Sequence, residues 1–246
     1  MRAMILAAGL GKRLKPLTNV KPKALVEVGG FTMLELAIKY LKKYGFSEII
    51  INVHHFGDQI IDYINKHDQF GLNICFSDER TQLMDTGGAI VHASSYFKDP
   101  EPFLVMGVDV LTNLDLEKFI QYHLEQKPLV TLAVKDRETT RSLMFNENMR
   151  LIGWRDNRSG ETRGTQIQNA KYALGFSVIQ IIQPEIFRLI DEKGAFPIME
   201  LYLRLMESQK IIGFRHNEDI WLEFGRNDRI AEYAISKEFQ QIISTF

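Results

Sequence analysis

The chain is nearly without cysteine. Cys75 is the single thiol in 246 residues, which excludes an internal disulfide framework and any zinc or iron–sulfur site that needs several thiolates. It sits in the apolar stretch Ile74-Cys75-Phe76, where a small buried side chain is the expected role. Excess charge of either sign is missing too: 30 lysines and arginines face 31 aspartates and glutamates, for a formal net charge of −1. No overall field draws such a chain to nucleic acid or to an anionic membrane surface. Nor does any apolar run approach the roughly 18 residues needed to cross a bilayer. Ala3 to Gly9 is apolar, but it is short for a signal core, and lysine and arginine follow where a small-residue cleavage site belongs. These absences predict a cytoplasmic protein with small-molecule partners, no nucleic acid and no membrane.

What is present is ordinary globular composition, with 45% hydrophobic and 25% charged residues, enough for a sizeable core and a single domain over 1–246. Ala3-Met4-Ile5-Leu6-Ala7-Ala8 is a short apolar run ended by Gly9-Leu10-Gly11, the pattern of a strand buried on both faces before a glycine turn. Thr32 to Tyr44 has helical spacing and stops at Gly45, and Glu48 to Val53 is a second buried strand, completing a βαβ unit. The alternation continues: a helix over Asp58–Asn65, a strand over Asn73–Ser77, a helix over Gly87–Ser94 and a strand over Phe103–Val108. It predicts an α/β fold with a parallel sheet and helices on both faces.

After a helix from Asp115 to about Glu125 and a strand over Leu129–Val134, the rhythm changes. Ser142–Phe145 and Leu151–Trp154 flank a turn and read as a hairpin, and the polar stretch Asn157–Gln168 reads as a mobile loop. Tyr172–Ile182 returns to strand. Pro184 opens a short helix at a position suited to proline, Phe196–Gln209 gives another with core spacing, and a last helix runs from Asn227 to about Ile243. No second catalytic domain is expected after it.

The most informative stretch is Gly9-Leu10-Gly11-Lys12-Arg13-Leu14-Lys15-Pro16-Leu17-Thr18, followed by Lys21-Pro22-Lys23. Glycines let backbone N–H groups approach an oxyanion, and a loop at the carboxyl end of a first parallel strand is where α/β sheets bind ligands. Five cations crowd those glycines, so phosphate is the natural guest. Two familiar phosphate loops fail on spacing. A dinucleotide fingerprint needs a small residue where Leu14 stands, and a P-loop needs a glycine where Leu6 stands.

What remains resembles the signature of the sugar-phosphate nucleotidylyltransferases, Gly-x-Gly-x-Arg-x-x-Pro-Leu-Thr with a nearby Pro-Lys: Gly9, Gly11, Arg13, Pro16, Leu17, Thr18, Pro22 and Lys23 all match. The likeness continues at Gly87-Gly88, Asp109 and Trp221 to Gly225. In length the chain is similar to short members acting on N-acetylmuramate 1-phosphate or mannose 1-phosphate, without the carboxy-terminal left-handed β-helix of the bifunctional ones. The resemblance implies a Rossmann-like three-layer α/β/α sandwich with a mostly parallel central sheet and a smaller sugar-binding β elaboration. Residues 1–110 would form a nucleotide-binding half and 111–246 a sugar-phosphate-binding half.

The implied reaction is Mg²⁺-dependent transfer of a nucleotidyl group from a nucleoside triphosphate (NTP) to a sugar 1-phosphate, giving an NDP-sugar and pyrophosphate. The lean is to uridylyl transfer, with guanylyl transfer next. Two polyanions must meet, and each unit-charge pair at roughly 4 Å and an effective dielectric near 20 is worth about 4 kcal/mol, so fixed cations and a metal are needed. Arg13 is expected on the leaving β and γ phosphates, where its planar fork binds bidentately, and Lys23 at the α-phosphate or between the two phosphates. Asp109 and Glu223 are the expected metal ligands, since Mg²⁺ keeps several waters and needs few carboxylates. The nucleotide would contact Ala7, Ala8, Gly9 and Gly11, with Thr86, Gly87 and one of Glu79 or Gln82 at the base. Arg155, Tyr172 and Gly175 would meet the sugar phosphate.

Glu223 stands where the family has aspartate, and Gly107-Val108 replaces its Asn-Gly, which leaves a nucleotide-sugar sensor of the same fold as the alternative. His54-His55 is expected to cap or pack rather than bind metal. No Gly-x-Ser-x-Gly motif occurs, and direct displacement needs no covalent intermediate.

Overall fold

In a computed structural model that describes residues 1–246, the first apolar run becomes the central strand of a ten-stranded sheet. The chain runs through β1 (Ala3–Leu6), a small hairpin β2–β3 (Glu27–Val28 and Phe31–Thr32), α1 (Met33–Lys43), β4 (Glu48–Val53), α2 (Gly57–Lys66), β5 (Asn73–Asp78), α3 (Asp85–His92), β6 (Phe103–Gly107), β7 (Val110–Thr112) and α4 (Leu116–Gln126). It continues through β8 (Val130–Lys135), β9 (Arg141–Phe145), β10 (Leu151–Asp156), β11 (Thr162–Arg163), β12 (Tyr172–Ile182), α5 (Ile198–Leu205), β13 (Ile211–Arg215), β14 (Trp221–Glu223), α6 (Asn227–Ala234) and α7 (Lys237–Ile243). No helix is long and apolar enough to cross a membrane.

β1 lies between β4 and β6, with β5 beyond β4, and all these pairings are parallel. The chain steps outward from β1 to β4 to β5 and then returns to place β6 on the other side of β1. The loops after β1 and β6 therefore diverge, which opens a crevice at the carboxyl ends of the strands. β12 runs antiparallel to β6 over Ile179–Ile182, while its earlier part, Tyr172–Leu174, pairs with β9. Between the two, the pairing with β8 is irregular from Phe176 to Gln180, and Val178 has φ of 60°. A β-branched residue in that conformation marks a strained bulge. The bulge turns the strand, so that β12 serves both the parallel sheet and the added β9–β10–β11 layer.

Period-two burial builds the three layers. Ala3, Ile5, Ile49, Ile51, Leu104 and Met106 point to one side, where Leu34, Ile38 and Leu41 of α1, Ile60 and Ile64 of α2, Phe119 of α4 and Phe239 of α7 meet them. Met4, Ile50, Phe103 and Val105 point to the other, against Ile90 of α3 and Leu201, Tyr202 and Leu205 of α5. Each Leu, Ile, Met or Phe among them contributes about 1.5–3 kcal/mol on burial. Helix starts are fixed locally: the Thr32 hydroxyl accepts from Glu35 N–H at 3.1 Å and the Asp115 carboxylate from Lys118 N–H at 3.2 Å.

Three expectations need correction. The stretch read as a mobile loop carries β11, which pairs with β10, and Arg163 clamps Glu200 through two 2.7 Å hydrogen bonds. Its polarity reflects an exposed edge. The terminal helix is two, because the Ser236 side chain caps a fresh start by accepting from Phe239 N–H at 3.1 Å. Cys75 is half-buried rather than buried, since β5 is the edge strand of its sheet.

Candidate active site

A cleft of about 580 Å³ opens at the carboxyl ends of β1, β4, β5 and β6, lined by the turn Ala8–Lys12 together with Asn52, Glu79, Thr86, Asp109 and Val178. Gly11 has φ of +59°, and a Cβ there would lie 2.8 Å from Thr18 Cγ2. Only glycine fits. The Thr18 hydroxyl donates to the Gly11 carbonyl at 2.9 Å, pinning the turn.

Behind this turn lies a buried polar network. The Asn52 Oδ1 accepts from the N–H groups of Ala7 (2.6 Å) and Ala8 (3.3 Å), and its Nδ2 donates to Glu79 Oε1 at 2.9 Å. Glu79 Oε2 accepts from Met84 N–H at 3.2 Å, and His54 Nδ1 donates to the Glu79 carbonyl at 2.7 Å. Burial raises the Glu79 carboxyl above its usual range, against the hydrogen bonds from Asn52 and Met84 that favour its anion. The network joins the loop after β1 to the segment before α3, so both walls of the cleft are set by one carboxamide.

Ion pairs gather at the mouth. Lys23 Nζ bonds Asp109 Oδ2, with both side chains largely shielded, and Arg13 Nη2 lies 3.4 Å from Glu223 Oε1. β14 lies antiparallel to β7 with Glu223 opposite Val110, and Phe224 N–H donates to the Asp109 carbonyl at 2.9 Å. Residues 114 positions apart, Asp109 and Glu223, are thereby neighbours. Gly225 leaves the room: a Cβ on it would sit 2.3 Å from Glu223 Oε1 and 2.9 Å from Arg13 Nη2.

The other expected site residues divide. Ala8, Gly9, Gly11, Glu79 and Thr86 line the cleft, whereas the Ala7 N–H is taken by Asn52. Gln82 is exposed and outside the lining. Gly87 packs beneath Phe196, whose ring would meet a Cβ at 2.3 Å, so that glycine serves helix packing. On the sugar side, Arg155 Nε donates to Asn157 Oδ1 at 3.0 Å, Tyr172 lies under the Arg215 guanidinium at 4.8 Å, and Gly175 abuts Arg137. None of those contacts ties Arg155 or Tyr172 to the cluster at the mouth.

The model of the family described as Nucleotidyl transferase matches residues 2–143. The chain belongs to that family. The match spans the glycine turn, Lys23 and Asp109. Among its curated relatives, this nucleotidyltransferase is 31% identical to the N-acetylmuramate alpha-1-phosphate uridylyltransferase of Neisseria meningitidis serogroup B, over 94% of this chain and 96% of that one. It is 28% identical to the mannose-1-phosphate guanyltransferase of Kluyveromyces lactis, over 92% of this chain but only 62% of that protein. Among solved structures, HddC from Yersinia pseudotuberculosis superposes with a TM-score of 0.76 at 22% identity, over 100% of this chain and 99% of that one. By class the protein is a sugar-1-phosphate nucleotidyltransferase, with the Rossmann-like sandwich of its fold neighbours.

Two groups of this nucleotidyltransferase escaped the reading of its sequence. Asn52 stood in view as the one polar residue within the run Ile49-Ile50-Ile51-Asn52-Val53, and a polar side chain in a doubly buried strand must find partners. Arg137 gave no such signal in its polar surroundings Lys135-Asp136-Arg137-Glu138.

Proposed function

We propose that this nucleotidyltransferase transfers the uridylyl group of UTP to N-acetylmuramate α-1-phosphate, with Mg²⁺ as cofactor. The observation that carries the reading is the convergence of Lys23–Asp109 and Arg13–Glu223 at one end of the glycine turn. The uridylyl preference rests on the N. meningitidis enzyme, 96% of whose length is matched, against the partial match to the longer guanyltransferase.

The nucleotide occupies the 1–110 half, with its phosphates along Gly9 to Lys12, and the sugar phosphate approaches from the 111–246 half. A phosphate oxygen of the sugar attacks the α-phosphorus, the bond to the β-phosphate breaks, and pyrophosphate leaves with the electron pair. Lys23 faces the α-phosphate, where charge builds, and Arg13 takes the departing β and γ oxygens bidentately. Two hard carboxylates, Asp109 in the turn before β7 and Glu223 at the end of the β14 strand paired with it, fit Mg²⁺ and would hold it, with water and phosphate completing its shell. Bound there, it supplies charge neutralisation and orientation of the phosphates. The carboxylates exchange their lysine and arginine partners as those cations move to phosphate.

Pyrophosphate release measured over UTP, GTP, CTP and ATP, against N-acetylmuramate, mannose and glucose 1-phosphates, with and without Mg²⁺, tests this. The highest kcat/KM is expected for UTP with N-acetylmuramate α-1-phosphate and no release without a divalent ion. A different best pair refutes the assignment. Binding without release for every pair favours the sensor.

A further inference from the structure

Arg137 lies on the sugar side, in surroundings the proposed chemistry has not used. It leaves the end of β8 and lies across the opening of β12. Its guanidinium carbon sits 4.2 Å from the centre of the Trp221 ring, Nη2 donates to the Phe176 carbonyl at 2.9 Å and Nη1 to the Glu138 carbonyl at 3.3 Å. Nε is buried and has no partner. No carboxylate pairs with it. A shielded cation satisfied only by neutral carbonyls and a ring face keeps most of its charge uncompensated, a costly arrangement unless an anion completes it.

The place of that charge is set by β14. Trp221 and Glu223 are two residues apart in one strand, so their side chains leave on the same side. The guanidinium stacked on Trp221 therefore lies on the side that carries the Glu223 carboxylate, and Glu223 is the acidic group whose field reaches it, opposing the burial that lowers its pKa. Arg13 meets Glu223 from the glycine turn. Arg137 reaches the field of the same carboxylate from the Trp221 side, where Arg229 is the other charged group it feels. The fold also makes space for it: a Cβ on Gly175 would lie 2.9 Å from the guanidinium carbon, so the glycine expected to admit a sugar ring instead seats this arginine. Trp221 is itself held by its Nε1–H, which donates to the Ser177 carbonyl at 3.0 Å.

We propose that Arg137 binds the phosphoryl group of the sugar 1-phosphate, holding the attacking phosphate on the sugar side of the mouth while Arg13 holds the leaving one. This rests on the reaction proposed above and assigns to Arg137 the role that the sequence suggested for Arg155. A planar fork stacked on an aromatic face holds its remaining N–H groups in one orientation, which lysine cannot imitate.

The test is a kinetic split. Arg137→Ala should raise the KM for N-acetylmuramate α-1-phosphate at least about 10-fold while changing the KM for UTP less than about 2-fold, and Arg137→Lys should restore little. Gly175→Ala keeps the arginine and crowds its seat, so it should raise the sugar-phosphate KM in the same direction, and Arg155→Ala should not. An unchanged sugar-phosphate KM in Arg137→Ala, or an equal rise for both substrates, overturns the assignment. Calorimetric titration with the same sugar 1-phosphate separates this from the reaction itself. If the wild type binds it, Arg137→Ala does not, and no NTP supports pyrophosphate release, the subsite stands and the transferase reading fails. Equal binding by both removes the subsite, and so does absence of binding to the wild type.

Discussion

Replacing Asn52 by aspartate isolates the network that shapes the nucleotide side of the cleft. The substitution is isosteric, so the new carboxylate still accepts from the Ala7 and Ala8 N–H groups. The 2.9 Å bond to Glu79 Oε1 becomes a contact between two carboxyl oxygens in a site where Asn52 is 3% and Glu79 1% exposed. Two carboxylates so placed cannot both ionise. Full ionisation would cost about 6 kcal/mol at that separation with an effective dielectric near 20, so the pair retains a proton instead. Holding it at pH 8, nearly four units above an ordinary carboxyl, costs about 5 kcal/mol; at about pH 5 the cost is near 1 kcal/mol.

The sign follows from proton counts. The folded variant binds more protons than the unfolded chain above the ordinary carboxyl pKa, so its stability falls as pH rises from about 4. Urea midpoints of wild type and Asn52→Asp should therefore separate progressively between pH 5 and 8. Adding Glu79→Gln returns an amide partner and should remove that separation. A difference that stays constant with pH, or persists in the double variant, refutes the role given to this pair.

Arg13→Ala and Asp109→Ala should each lower kcat/KM at least about 100-fold, as expected for loss of a preorganised charge; a folded variant with near wild-type pyrophosphate release removes that residue from the mechanism. Gly88→Ala places a Cβ 2.3 Å from the Gly194 carbonyl oxygen and should cost about 1–3 kcal/mol in denaturant unfolding, whereas an unchanged midpoint would show that the 194 loop yields freely. Burial pushes His123 and His216 down to a pKa of about 4. The unfolded chain protonates both near 6.5, so stability should drop as pH falls from about 6.5 towards 4, by up to about 3 kcal/mol each. Replacing His216 by glutamine should flatten that slope, and an unaltered slope contradicts its neutral burial.

The parallel core was legible because its strands are buried on both faces and their residues are apolar without alternation; Glu48–Val53 was placed to the residue. The glycine turn was legible because steric need writes itself as glycine at position 11. Partners in space were harder. That Glu223 lies beside Asp109 comes from a two-stranded ribbon formed by segments more than a hundred residues apart, and no local pattern encodes it. Arg155 and Arg137 are both arginines in polar stretches, and only the bulge in β12 and the ring of Trp221 distinguish their settings. Gly175 was read as space for a sugar, yet one absent methyl group serves a guanidinium equally well. The break at Ser236 is a capping choice, invisible to the apolar period that runs on through it.

The two ion pairs at the mouth have a consequence for what the protein ignores. Lys23 and Asp109 already neutralise one another, as do Arg13 and Glu223, so a lone polyphosphate arriving there strands two carboxylates and a lone divalent ion strands two cations. Either guest alone must break attractions it cannot replace. A phosphate chain that brings its own counterion lets all four groups swap partners at constant net charge. Discrimination against unaccompanied inorganic phosphate, abundant in any cell, would then be a property of the resting arrangement rather than of any group added to repel it.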